Sequence, residues 1–220
     1  MLTPDSLKKR RSIIAACRKM NDLGINQGTS GNISLREDDG MLITPTSVPY
    51  DAMEPEDIVF MGMDGTVVGP GRPSSEWRFH LDIMRAKPDV QAIVHAHPTY
   101  ATTIAIMERD IPPIHYMVAI AGGSTIRCAP YATFGTPELS ANAVAALDGR
   151  KACLLAHHGM IATGTSIDNA MWMAVEIETL ARQYHGCLQL GEPPLLSEAE
   201  IQNVIARMAE YGHKDKPAQA

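Results

Sequence analysis

Two stretches of this chain end on histidines in a pattern that suits metal chemistry. His95-Ala96-His97 closes the apolar run Ala92-Ile93-Val94, and His157-His158-Gly159 closes the run from Ala152 to Ala156. On an extended strand, side chains repeat every second residue, so His95 and His97 point to one face. A lone histidine on an apolar strand is ordinarily a core residue with its hydrogen bonds met. Two on one face of a strand end call for a shared reason, and one metal ion is such a reason. A third imidazole from a neighbouring strand would complete a three-histidine site with an open position, the pattern of a catalytic rather than a structural zinc. Adjacent strand residues face opposite ways, so only one of His157 and His158 can join. Periodicity does not say which.

Glu76 follows Ser74-Ser75 at the start of a predicted helix. There it reads in two ways: as an acid favoured by the helix dipole in the first turn, or as a fourth metal ligand or general base. His80, one turn on, competes for the role and reads as structural. Two segments suit an anion. Ser74-Ser75 offers hydroxyls and free N–H groups at a helix start, and the polar loop Gly28-Thr29-Ser30-Gly31-Asn32 offers backbone amides. Ordinary capping and turn chemistry explains both equally simply. The loop lacks the lysine of a P-loop and the spacing of a dinucleotide fingerprint. No G-x-S-x-G elbow or H-E-x-x-H occurs, which argues against serine hydrolases and zincins.

The elements that must position these groups follow from pattern. Helical spacing of Ile13, Ile14, Cys17 and Met20 predicts a helix over 5–22, with Thr3 or Asp5 as cap and Gly24 at its end. Strands at 33–35 and 41–44 form a hairpin turning at Asp39-Gly40, and strands at 58–61 and 66–68 form a second around Asp64-Gly65. A helix capped by Ser74 or Ser75 runs to about Ala86. Then come a strand at 92–95, a helix near 99–107, strands near 116–120 and 125–129, a helix at 137–147, and a hairpin of 152–156 with 160–163. The longest helix runs from Asp168 to Cys187, and a last one covers 197–210. The reading gives one domain over 1–213 with a loose tail at 214–220. Hairpins dominate, so the sheet should be mainly antiparallel with helices on its faces, an α/β protein of the α+β type.

Bulk properties narrow the classes. The 220 residues are 45% hydrophobic and 20% charged with net charge −6, an ordinary globular balance. The one basic cluster, Lys8-Lys9-Arg10-Arg11, reads as a solvated helix face rather than a nucleic-acid patch. No apolar run approaches a membrane span, and the N-terminus lacks signal-peptide order. Cys17, Cys128, Cys153 and Cys187 lie far apart with no C-x-x-C, so reduced thiols in a cytoplasmic protein are expected, with no membrane or nucleic-acid partner.

Taken in order, Asn26-Gln27-Gly28-Thr29-Ser30-Gly31-Asn32, Ile43-Thr44-Pro45-Thr46, Pro73-Ser74-Ser75-Glu76, Val94-His95-Ala96-His97 and His157-His158-Gly159 resemble the class II aldolase/adducin-head family over roughly residues 8–212. The resemblance is strongest to its branch acting on L-fuculose 1-phosphate, through the stretches 74–80, 114–117 and 128–136. It implies a central, mainly antiparallel sheet flanked by helices, a homotetramer, and a phosphorylated sugar as the small-molecule partner. By resemblance His95, His97 and His158 ligate Zn2+, although three imidazoles and a carboxylate suit several divalent metals. Glu76 is both resting fourth ligand and acid/base. Gly31, Asn32, Thr46, Ser47, Ser74 and Ser75 hold the phosphate, and Phe134, Met208 and Tyr211 line the aldehyde end. Tyr116 reaches the site from a neighbouring subunit. The implied reaction splits a ketose 1-phosphate into dihydroxyacetone phosphate and an aldehyde, with a Lewis acid stabilising the enediolate.

Two positions depart from that branch, which has glycine at Ser47 and an aromatic ring at Met208. A thioether there suits another aldehyde tail, so the runner-up substrates are 5-deoxyribulose 1-phosphate and 5-methylthioribulose 1-phosphate. Epimerases of the family carry Asp at Glu76, and its decarboxylases Lys-Glu at 75–76. A dehydratase branch keeps the ligands. A metal-free binding module of the adducin-head kind would not need them, and a zinc hydrolase fits the metal geometry alone.

Overall fold

The computed structural model describes the backbone of residues 3–211 and the side chains through Ala209. Position 211 and the tail expected at 214–220 therefore lie wholly or partly outside what is described. Eight strands form one sheet in the order β4-β3-β2-β1-β5-β8-β7-β6. They are β1 (Asn32–Glu37), β2 (Gly40–Ile43), β3 (Val59–Gly62), β4 (Val67–Val68), β5 (Ala92–Ala96), β6 (Cys128–Ala129), β7 (Ala152–Leu155) and β8 (Gly159–Gly164). Every neighbouring pair is antiparallel except β6 with β7.

Alternation along the strands splits the core in two. Leu42, Ile33, Val94, Ala96, Met160, Ala162 and Leu154 face one layer. Met41, Ile43, Ile93, Ile161, Cys153 and Leu155 face the other. Helices α1 (Pro4–Asp22), α3 (Thr99–Ile106) and α5 (Ile167–Leu190) cover the first face, and α2 (Trp77–Ala86) and α4 (Pro137–Ala146) the second. A last helix, α6 (Glu198–Tyr211), packs against a 3-10 helix at Tyr116–Ala121. His95 shares its face with Ile93, so it looks towards α2.

Local chemistry explains the helix starts. Thr3 Oγ1 accepts from Ser6 N, Thr136 Oγ1 from Leu139 N and Ser166 Oγ from Asn169 N, each capping a helix. α3 has Pro98 at its cap position and no cap of its own. The buried Glu178 carboxylate of α5 supplies one instead, accepting from Tyr100 N at 2.9 Å and Ala101 N at 2.7 Å.

Four sequence expectations shift. The stretch near 116–120 is the 3-10 helix, not a strand. Its apolar, partly β-branched run has no strand to pair with, His115 Nδ1 accepts from Met117 N, and Gly122 at φ +90° ends it. The strand expected near 125–129 shrinks to Cys128–Ala129 plus a bridge between Ile111 and Ile126. The first hairpin turns at Asp38-Asp39, with Gly40 already paired to Glu37. Arg10 is buried rather than solvated, donating to Pro55 O at 3.1 Å and also to Ile58 O. All four cysteines are free thiols, and no helix among the described residues is long and apolar enough to cross a membrane.

Glu178→Ala should leave two buried backbone N–H groups at the head of α3 without partners. The expected loss is about 2–4 kcal/mol, read as a lower urea midpoint, and an unchanged midpoint would refute the capping role.

Candidate metal centre and its cleft

Antiparallel pairing gathers the chemistry at one edge of the sheet. The start of β1, the ends of β2, β5 and β7 and the start of β8 all lie there. Asn32 pairs with His95, and Ala96 with Met160. Beyond β2, Ser74 N donates to Thr44 O at 2.9 Å and Thr46 N to Arg72 O at 3.1 Å. The segments 44–47 and 72–75 thus run side by side beside Gly31-Asn32.

At this edge Glu76, His95, His97 and His158 converge, their candidate ligand atoms all within 4.8 Å of one another. Glu76 Oε2 is 3.1 Å from His95 Nε2, and Oε1 is 3.1 Å from His158 Nε2. His95 Nε2 and His97 Nε2 are 2.9 Å apart. The three rings stand 4.8–4.9 Å apart at 72–77° to one another, like blades. A main-chain carbonyl can only accept, so His95 Nδ1 donates to Met160 O at 2.9 Å and its Nε2 presents a lone pair inward. Glu76 Oε1 is buried without a hydrogen-bond partner. Converging lone pairs and an orphaned carboxylate oxygen are what a divalent cation would satisfy, so the donor set fits a metal.

The two readings of Glu76 now separate. α2 begins at Trp77, and Glu76 makes no capping bond. Instead Ser74 Oγ accepts from Glu76 N at 3.3 Å, which frees the carboxylate to turn inward. Burial would raise its pKa, but with no cation among the donors the His95 and His158 imidazoles, when protonated, supply charge and hydrogen bonds that hold the carboxyl well below its ordinary range. His97 is pushed down to about 3, by burial first and then by His95 and His158. A neutral imidazole is the form that ligates.

His158 rather than His157 enters the cluster because the β7–β8 turn takes His157 into the left-handed region, at φ +54°. That residue swings out to the cleft rim, where its Nε2 meets Glu108 Oε1 at 3.0 Å. Gly159 is required by close approach. A Cβ there would sit 2.5 Å from Ala96 O and 2.7 Å from His97 Cδ2.

A cleft of about 310 Å³ opens above the cluster, lined in part by Ser75, Glu76, His97, Phe134, His157 and His158. Larger hollows of 490 and 560 Å³ lie against α1, far from these groups. Of the sequence-predicted anion contacts, Ser75 reaches the cleft and Ser74 is buried behind it. Thr46 and Ser47 adjoin, their hydroxyls 3.4 Å apart. Ser47 adopts φ +60°, a left-handed conformation that glycine takes without strain. The Asn32 side chain is buried and points at Glu76, Nδ2 donating to Oε2 at 3.0 Å. Phe134 is exposed on the rim. Tyr116 is 51% exposed and does not line its own chain's cleft, nor does Met208, which packs on the core. The side chain of Tyr211 lies outside the described residues. His157, the other candidate for third ligand, stands on the rim instead, and Tyr131, which no sequence signal marks, stands there with it.

The family described as Class II Aldolase and Adducin N-terminal domain matches residues 11–185. The chain belongs to this family. It is 52% identical over 203 residues to the 5-methylthioribulose-1-phosphate/5-deoxyribulose-1-phosphate aldolase of Rhodospirillum rubrum, covering 92% of each chain. It is 48% identical over 206 residues to the L-fuculose phosphate aldolase of Escherichia coli K12, covering 93% of this chain and 96% of that one. A solved structure of an L-fuculose 1-phosphate aldolase superposes with TM-score 0.90 at 37% identity, covering 95% and 98%.

Gly159→Ala should push the start of β8 away from Ala96 and His97. We expect metal affinity to fall by about 10- to 100-fold in chelator competition; wild-type affinity would show that the close approach does not matter to the site.

Proposed function

We propose that this protein is a metal-dependent aldolase that splits a ketose 1-phosphate into dihydroxyacetone phosphate and an aldehyde. The convergence of Glu76 with three imidazoles beneath an open cleft carries the reading. His95, His97 and His158 would hold the ion, with Glu76 as the fourth donor at rest. Zinc is the first choice for three histidines and a carboxylate. When bound, the metal supplies Lewis acidity at the carbonyl side of the breaking bond.

The chain's own residues do the rest. Gly31, Asn32, Thr46, Ser47, Ser74 and Ser75 surround the phosphate end, where the segments 44–47 and 72–75 run together. The C4 hydroxyl gives up its proton, the C3–C4 bond breaks, and its electron pair stays with C3. Glu76, having taken up a proton from solvent, then delivers it to C3 as general acid, and in the reverse direction removes it. Tyr116 of a neighbouring copy takes the C4 proton as its own hydroxyl proton passes to solvent. Its exposure away from its own cleft supports that placement and a homotetrameric assembly. Phe134 shapes the aldehyde end from the rim, and Met208 and Tyr211 do so from a neighbouring copy, since Met208 stands away from its own chain's cleft.

A second reading concerns the aldehyde. The Rhodospirillum relative is named for 5-methylthioribulose 1-phosphate and 5-deoxyribulose 1-phosphate, the Escherichia relative for L-fuculose phosphate. Met208 in place of an aromatic ring favours the former, whose tails carry no hydroxyl beyond C4.

The deciding assay is dihydroxyacetone phosphate release from the three ketose 1-phosphates, with and without a chelator. Chelator-sensitive release with the highest kcat/KM on the deoxy or methylthio sugar is expected; a metal-loaded protein that releases none of it from any of them is not this aldolase. In the same assay Glu76→Gln should keep metal and lose C3 proton exchange by about 100-fold or more, and Tyr116→Phe should slow cleavage but not exchange. Normal turnover of either variant would remove that residue from the mechanism.

A further inference from the structure

Behind Glu76 a chain of buried polar groups runs into the core, and past Asn32 its members serve none of the roles above. Glu76 Oε2 accepts from Asn32 Nδ2 at 3.0 Å, Asn32 Oδ1 faces His80 Nε2 at 2.5 Å, and His80 Nδ1 faces Ser34 Oγ at 2.7 Å. Asn32 is 3% exposed, and His80 and Ser34 are fully buried. The direction of every bond follows from the first. A carboxylate only accepts, so the Asn32 amide must turn its nitrogen to Glu76 and its oxygen to His80. That oxygen only accepts, so His80 carries its proton on Nε2. Its Nδ1 is then a lone pair, and Ser34 donates to it.

The chain comes from two elements. Asn32 and Ser34 are alternate residues of β1 on the face that α2 covers, and His80 lies one turn into α2, just after Glu76. Phe79 stacks on the His80 ring at 4.7 Å and stands edge-on to His95 at 5.2 Å, so the ring cannot turn freely. A buried polar chain of this kind is costly unless every member is satisfied. Here each is, and its outer end is the carboxylate, where Asn32 holds Oε2 and Oε1 takes no hydrogen bond and faces His158 Nε2 at 3.1 Å.

We propose that His80, fixed by Ser34, orients the Asn32 amide so that it pins Oε2 of Glu76 and leaves Oε1 as the oxygen that carries the proton. His80 is thus a positioning residue for the acid/base carboxylate, acting through Asn32. This rests on the aldolase reading. Without the His80 donor, the Asn32 amide is free to rotate, its oxygen repels the carboxylate, and Glu76 loses the geometry at C3. The β1 backbone, set by Ile33 and Leu35, keeps its place, so phosphate binding is spared.

The test uses full-length protein at saturating zinc and follows exchange of the C3 proton of dihydroxyacetone phosphate. His80→Leu should lower kcat for exchange by about 10- to 100-fold with KM and metal content close to wild type. Competition against a chelator should show about tenfold weaker metal binding. His80→Gln, whose amide can donate to Asn32 and accept from Ser34, should restore most of both. Ser34→Ala removes only the innermost link and should give an intermediate loss; it carries the test alone if His80→Leu does not fold. Wild-type exchange in His80→Leu, or in Ser34→Ala where that stands alone, overturns the proposal. So does a His80→Gln loss equal to His80→Leu that follows a fall in melting temperature. A metal-loaded wild type with neither exchange nor cleavage overturns the aldolase reading, and this inference with it.

Discussion

Everything in this molecule answers to one electrostatic demand. A carboxylate and three imidazoles are held with their lone pairs aimed at one point, mostly out of water. Such an arrangement repels itself unless a cation sits among the donors, and it scatters unless the scaffold is stiff. The scaffold meets that demand by spreading the donors over different elements. His95 and His97 come from the end of β5, His158 from a turn, and Glu76 from the residue before α2. No local rearrangement can relax more than one or two of them.

The sheet makes this possible through alternation. On β5, Ile93 and His95 look towards α2 while Ala92, Val94 and Ala96 look towards α3 and α5. A slip of one residue in the β1–β5 register would carry His95 away from Glu76 and Asn32 away from His80. The burial of Ile33 on the other face opposes that slip, so hydrophobic packing on one side fixes chemistry on the other.

Much of this was legible in the sequence. The i, i+2 histidines follow from strand period alone, and the hairpins 33–44 and 152–163 from alternation and turn residues. What stayed hidden depended on tertiary detail. The choice of His158 over His157 is decided by a left-handed turn that no periodicity encodes. Glu76 read equally well as a helix-capping acid, and only the start of α2 at Trp77 and the Ser74 bond turn it inward. Tyr116 to Ala121 looked like a strand because its side chains are strand-like, yet no neighbour offers it a ladder. The inward face of Asn32 was out of reach for the same reason, since it depends on which helix covers β1.

Helix α3 has an unusual position between the two histidine-bearing segments. It begins just after His97, where Glu178 grips its first N–H groups, and its far end meets the β7–β8 turn. There Ala105 O accepts from His157 N, and Glu108, itself left-handed at φ +52°, holds the His157 ring. With 8 residues it is a strut of about 12 Å at the ordinary helical rise. The β5–β8 pairing sets the distance between the imidazoles, and the length of α3 sets where Glu108 meets the His157 turn. A single inserted residue between Pro98 and Glu108 would turn Glu108 by about 100° about the helix axis, away from the His157 ring that it holds on the cleft rim.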